Sequence, residues 1–195
     1  MRDEIEVVIF GVGGVGSRVA EMLYRYSRIE RRIKTIYLID GDEVETKNLS
    51  RQNFIASDCG KLKTKALKDY LDYIGGGASV IICSQFIQNE EILRRVCDEN
   101  TICIGCTDDV ESKRLIGRFF KDYMIVSVDR GLVEITVDRE YDKVWSFGTG
   151  YDVVQDVLNN TFASAIVCKV FKDWINGKKL TKNIRYNINT LSQQN

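Results

Sequence analysis

The chain has 195 residues, 28 basic and 28 acidic side chains, six cysteines, and neither histidine nor proline. Without histidine it has no Ser-His-Asp or Cys-His dyad, no two-His zinc site and no imidazole switch. A formal net charge of zero speaks against a general nucleic-acid or anionic-membrane binder, and this length suits one domain, 1–195, with its own core.

Residues 4–10 hold Ile5, Val7, Val8, Ile9 and Phe10, a β-branched run that reads as a buried strand. A glycine cluster follows, then Val15, Val19, Ala20, Leu23 and Tyr26 at helical spacing. Residues 35–39 form a second strand ending at Asp40, and 41–58 read as irregular. Leu62, Ala66, Leu67, Leu71 and Ile74 mark an amphipathic helix closed by Gly75-Gly76-Gly77. A third strand is expected at 80–83, a short helix capped by Asn89, a fourth strand at 102–106, a helix started by Asp108 or Asp109, and a fifth strand at 124–128.

Strand and helix thus alternate for about 130 residues, the pattern of a doubly wound, Rossmann-like α/β sheet that is mostly parallel. The C-terminal part differs. Residues 132–137 and 143–147 alternate around Asp138-Arg139-Glu140, which predicts an antiparallel hairpin. A helix capped by Asn160 or Thr161 and running to about 176 is apolar on most sides and therefore expected to be buried. Residues 184–188 read as a final edge strand.

No apolar run approaches the ~18 residues of a membrane span, and Met1-Arg2-Asp3-Glu4 does not open a signal peptide. A cytoplasmic setting is expected, in keeping with cysteines that show no disulfide framework. Cys103 and Cys106 form a CxxC without a second CxxC or a histidine to complete a zinc site, so no zinc is expected. Tyr24-Arg25-Tyr26-Ser27-Arg28 interleaves bases and aromatics, which an amphipathic helix face explains better than nucleic acid does.

Gly11-Val12-Gly13-Gly14-Val15-Gly16 contains GxGxxG between a predicted strand and a predicted helix. Glycines there allow a tight turn and close approach of phosphate or ribose, and the helix start offers N–H groups to an anion. Asp40, at the end of the next strand, can accept hydrogen bonds from ribose hydroxyls. By itself this pair of features favours a nicotinamide dinucleotide and identifies no ligand; an NAD-dependent oxidoreductase explains only this much.

The next segment redirects the reading. Asp40-Gly41-Asp42-Glu43-Val44, Asn48-Leu49-Ser50-Arg51-Gln52-Asn53-Phe54 and Asp58-Cys59-Gly60-Lys61-Leu62-Lys63 make DxDxVxxxNLxRQxF followed by DxGxxK, with Cys106-Thr107-Asp108-Asp109 after the fourth strand. In these motifs the chain resembles the ThiF/MoeB/HesA adenylyltransferases and the adenylation domains of ubiquitin-activating enzymes, from about residue 7 to 128 and more weakly beyond.

The resemblance implies ATP and Mg²⁺ as cofactors. It implies adenylation of the C-terminal carboxylate of a small ubiquitin-like protein or peptide, with release of pyrophosphate. Arg51 and Lys63 would neutralise phosphate oxygens, Asn48 would hydrogen-bond them, and Asp108 would hold Mg²⁺. Gly11, Gly13, Gly14, Gly16, Asp40, Asp42 and Gln52 would form the nucleotide site. A homodimer or heterodimer is implied as well.

Several family features are not expected in this chain: the arginine-bearing helix before the first strand, two zinc-binding CxxC pairs, and a thioester cysteine between the hairpin and the last helix. No cysteine lies between 131 and 160, so no acyl-enzyme thioester is expected. Lys47 stands where members carry Ser, and Asp109 where they carry Asn. The alternative from another class is a non-catalytic nucleotide-binding scaffold, or a subunit supporting an active partner.

Overall fold

The structure is a computed structural model that describes residues 2–137, 156–181 and 183–194. Its elements run β1 (Ile5–Phe10), α1 (Gly16–Tyr26), β2 (Ile33–Ile39), α2 (Lys63–Ile74), β3 (Ser79–Cys83), α3 (Glu90–Arg94) and β4 (Ile102–Gly105). They continue with α4 (Val110–Phe119), β5 (Tyr123–Asp129), β6 (Leu132–Val137), α5 (Val157–Ile175), β7 (Asn183–Asn187) and β8 (Ser192–Gln194).

Among the described residues one sheet has the order β3-β2-β1-β4-β5-β6-β7-β8. β1 pairs in parallel with both β2 and β4, β2 with β3, and β4 with β5; the pairs β5–β6, β6–β7 and β7–β8 are antiparallel. The expected doubly wound α/β architecture is therefore present.

Continuous apolar strands follow from burial on both faces. In β1, Val7 and Ile9 face a core completed by Val19 and Leu23 of α1, Leu67 and Leu71 of α2, and Val167 and Phe171 of α5. Val8 and Phe10 face a second core with Leu93 of α3 and Leu115, Ile116 and Phe119 of α4. The CxxC pair is divided between these faces: Cys103 lies in the second core and Cys106 packs against the first.

The expected C-terminal antiparallel hairpin is present, and three neighbouring expectations change. The antiparallel hairpin joins β5 to β6 through Arg130-Gly131, both at positive φ, with Asp129 opposite Leu132; residues 143–147 lie outside the described residues. β7 is not an edge strand, because the three-residue β8 pairs along it. α5 starts at Val157, capped by Asp156, whose carboxylate accepts the Asn159 N–H at 2.8 Å. Asn160 and Thr161 thus lie inside the helix. Nor is α5 buried all round: Leu158 and Phe162 are exposed.

Candidate nucleotide-binding cleft

In a doubly wound sheet the crevice opens at the carboxyl ends of the strands, where the strand order reverses. That point lies between β1 and β4, and a cleft of about 850 Å³ occupies it. The connections after β1 to β5 supply its walls.

The first wall is the glycine turn. Gly11 has φ +88°, and a Cβ there would stand 2.9 Å from the Thr107 nitrogen. A Cβ on Gly16 would stand 1.9 Å from the Gly11 carbonyl oxygen, so α1 can leave β1 at this angle only with glycine at 16. No side chain caps α1, and its first turn carries no acid, which leaves the positive end of its dipole to an anion. Asp40 joins this turn to β2: its Oδ2 accepts the Val12 N–H and its Oδ1 the Asp42 N–H, both at 2.8 Å. Burial pushes the Asp40 carboxyl up, against the downward pull of those two bonds and of Lys63.

The segment 41–62 explains why its motif mixes apolar and polar letters. Val44 and Phe54 are buried in the first core. A bridge from Glu43 to Leu62 closes the loop, with Val44 N–H to Lys61 O at 2.8 Å. Between these anchors, Arg51 and Gln52 reach the cleft. Lys63, 6% exposed, opens α2 and donates from Nζ to Asp42 Oδ2 at 2.8 Å. Arg51 donates to the Lys47 carbonyl at 2.8 Å. Gln52 packs beneath Gly13, with its Oε1 buried and lacking a hydrogen-bond partner.

On the β4 side, neighbouring aspartates divide their tasks. Asp109 caps α4, its Oδ1 accepting the Ser112 N–H at 2.7 Å and its Oδ2 the Thr107 hydroxyl at 2.6 Å. Burial raises the Asp109 carboxyl, but those bonds outweigh it and hold the group below its usual range. Asp108 is exposed in the cleft wall and does not serve as the cap.

The cleft thus brings together Gly11, Gly13, Gly14, Asp40, Asp42, Arg51, Gln52, Lys63 and Asp108. Two expected residues do not line it. Gly16 serves the α1–β1 packing just described. Asn48 is 3% exposed, and its Oδ1 accepts the Glu45 N–H at 2.9 Å, closing the single-turn helix Thr46–Asn48.

Other residues were not foreseen. Lys113, 4% exposed, lines the cleft from α4, and burial pulls its pKa down to about 8 against the influence of Asp108, Asp109, Cys106 and Glu134. The only signal was its place four residues after Asp109 on a helix starting at the cleft. Asp129, at the end of β5, also lines it, with Oδ1 buried and lacking a hydrogen-bond partner. From α5, Asn160 Nδ2 donates to the Arg51 carbonyl and the Ser164 hydroxyl to the Val15 carbonyl, both at 3.1 Å. These two contacts, 109 and 149 residues apart in sequence, tie the Arg51 loop and the glycine turn to one helix.

As a metal site the cleft suits a hard cation that keeps substrate and water oxygens. Asp108 offers a carboxylate, and the described residues hold no cluster of three or more Cys, Asp or Glu arranged for a metal. Mg²⁺ is commonly held by one or two carboxylates plus phosphates.

The ThiF family model matches residues 3–138. The chain belongs to the ThiF family. Among relatives of this ThiF chain, the tRNA threonylcarbamoyladenosine dehydratase of Haemophilus influenzae is 32% identical over 114 residues, 56% of this chain and 41% of that protein. The ubiquitin-like modifier-activating enzyme 5 of Dictyostelium discoideum is 40% identical over 70 residues, 36% of this chain and 17% of that one. The matched segments therefore cover less than half the length of these curated relatives. Among solved structures, E. coli MccB with ATP superposes with a TM-score of 0.79 at 21% identity, covering 100% of this chain and 64% of that one. It shares the fold.

Proposed function

We propose that this ThiF-family chain binds Mg·ATP in the cleft and adenylates the C-terminal carboxylate of a ubiquitin-like protein or peptide. The observation that carries the proposal is the convergence on one crevice of an uncapped helix start, the ribose-type acceptor Asp40, the cations Arg51 and Lys63, and the acid Asp108. Names among the relatives support it: one is a ubiquitin-like modifier-activating enzyme, and the MccB structure contains ATP.

In this reading a substrate carboxylate oxygen attacks the α-phosphorus, the bond to the bridging oxygen breaks, and pyrophosphate leaves with the electron pair. The carboxylate is already ionised at neutral pH, so no general base is required and a chain without histidine suffices. Catalysis then rests on position and charge. The glycine turn and α1 receive phosphate oxygens, Asp40 orients the ribose with Asp42 beside it, and Gln52 supports the turn from below. Arg51 and Lys63 neutralise the departing pyrophosphate. Asn48 acts at one remove, by holding the loop that carries Arg51. Asp108 would hold Mg²⁺, which supplies further charge neutralisation when bound.

No acyl-enzyme thioester forms in this scheme. Cys106 lines the cleft, but burial pushes its thiol up and leaves it a poor nucleophile. A homodimer or heterodimer and a cytoplasmic setting complete the proposal.

The second reading is a nucleotide-binding subunit that supports an active partner. It is favoured by one observation: both Arg51 and Lys63 are engaged by the protein itself. ATP–pyrophosphate exchange separates the two. Exchange dependent on a peptide with a free C-terminus, abolished by Asp108→Ala and retained by Asp109→Asn, supports the enzyme. ATP binding without exchange for the natural substrate supports the subunit.

A further inference from the structure

Phe86 is a large apolar side chain left 65% exposed at the rim of the cleft. Its exposure follows from its neighbours. Ile87, the next residue, is buried in the second core and anchors the connection after β3, which turns Phe86 to the open side. Gly41 then makes room for it: a Cβ on Gly41 would stand 2.6 Å from the Phe86 nitrogen and 2.7 Å from ring atom Cδ2. The ring therefore lies against the backbone between Asp40 and Asp42, and most of its surface remains free.

The sheet order makes this position informative. From β1 outward the strands run β1, β2, β3, each step about 4.8 Å. The glycine turn follows β1, Asp40 ends β2, and Phe86 follows β3. A nucleotide with its phosphates on the glycine turn and its ribose at Asp40 carries its base one step further out, over Phe86. We infer that Phe86 is the stacking platform for the nucleobase and sets base affinity without reading base identity, because every base presents a π-face. This inference rests on the nucleotide reading above and adds the group that holds the base.

The test is calorimetric binding of Mg·ATP and of Mg·tripolyphosphate, which has no base or ribose, to the full chain. Phe86→Ala is expected to weaken Mg·ATP about tenfold and to leave tripolyphosphate within about twofold; Phe86→Trp is expected to restore Mg·ATP. Unchanged Mg·ATP affinity in Phe86→Ala overturns the platform and leaves the nucleotide reading standing. Equal weakening of both ligands also overturns it, since the side chain would then only support the 41–42 turn. A wild-type chain that binds neither ligand removes both readings together.

Discussion

Lys63 donates to Asp42 across 2.8 Å, and the two partners live in different surroundings: the lysine side chain is 8% exposed and the aspartate side chain 52%. The cation proposed to meet pyrophosphate is thus held by a half-solvated carboxylate at the cleft wall. A partner so exposed contributes little to stability, and an incoming polyphosphate competes with it directly.

Two variants separate these roles. Lys63→Met is expected to weaken Mg·tripolyphosphate binding at least tenfold, with the unfolding free energy changed by less than about 1–2 kcal/mol. Asp42→Asn removes the internal competitor and is expected to tighten tripolyphosphate severalfold. Calorimetry checks both; unaltered anion affinity in Lys63→Met would confine that lysine to a structural role.

Two glycines provide a contrast in backbone demand. Gly16→Ala places a methyl group 1.9 Å from the Gly11 carbonyl oxygen, a clash between two backbones that no rotamer relieves. A loss above about 4 kcal/mol, or failure to fold, is expected. Gly60 has φ +83° with nothing within 4 Å of a built Cβ, so Gly60→Ala costs only the left-handed conformation, about 1–2 kcal/mol. Urea unfolding of both variants measures the difference.

Lys113 predicts a pH dependence of stability. Burial lowers its folded pKa to about 8 from an ordinary 10.5. Below pH 8 folded and unfolded chains both hold the proton, and the burial penalty is present in full. Between about 8 and 10.5 the unfolded chain keeps a proton that the folded chain has released, so this group's contribution to stability rises with pH. Wild type should gain about 2 kcal/mol relative to Lys113→Met between neutral pH and about pH 9.5. A difference between the two proteins that stays constant with pH contradicts this account.

The α/β half was legible because its signals are local. Asn89 caps α3, its Oδ1 accepting the Ile92 N–H at 3.0 Å, and Gly75 ends α2 at φ +64°, both as the spacing predicts. Asp109 rather than Asp108 took the cap of α4, a choice between adjacent acids that spacing leaves open. The C-terminal part carries fewer local signals. The alternation in 132–137 identifies a strand but not its partners, and β6 pairs with β5 on one side and β7 on the other. The periodicity of α5 could not show that Asn160 is inside the helix, reaching the Arg51 carbonyl.

The same division holds for the cleft. Its glycine turn, Asp40, Arg51, Lys63 and Asp108 are readable in one dimension, because each stands in a short contiguous motif that follows a strand or opens a helix. The motif makes Asn48 an expected phosphate ligand, yet it lies buried against the Glu45 backbone. Lys113, Asp129, Phe86 and the α5 contacts carry no such local mark. Their burial, exposure and partners arise only when strands distant in the chain lie side by side, and that long-range packing decides which charges a bound ligand would meet.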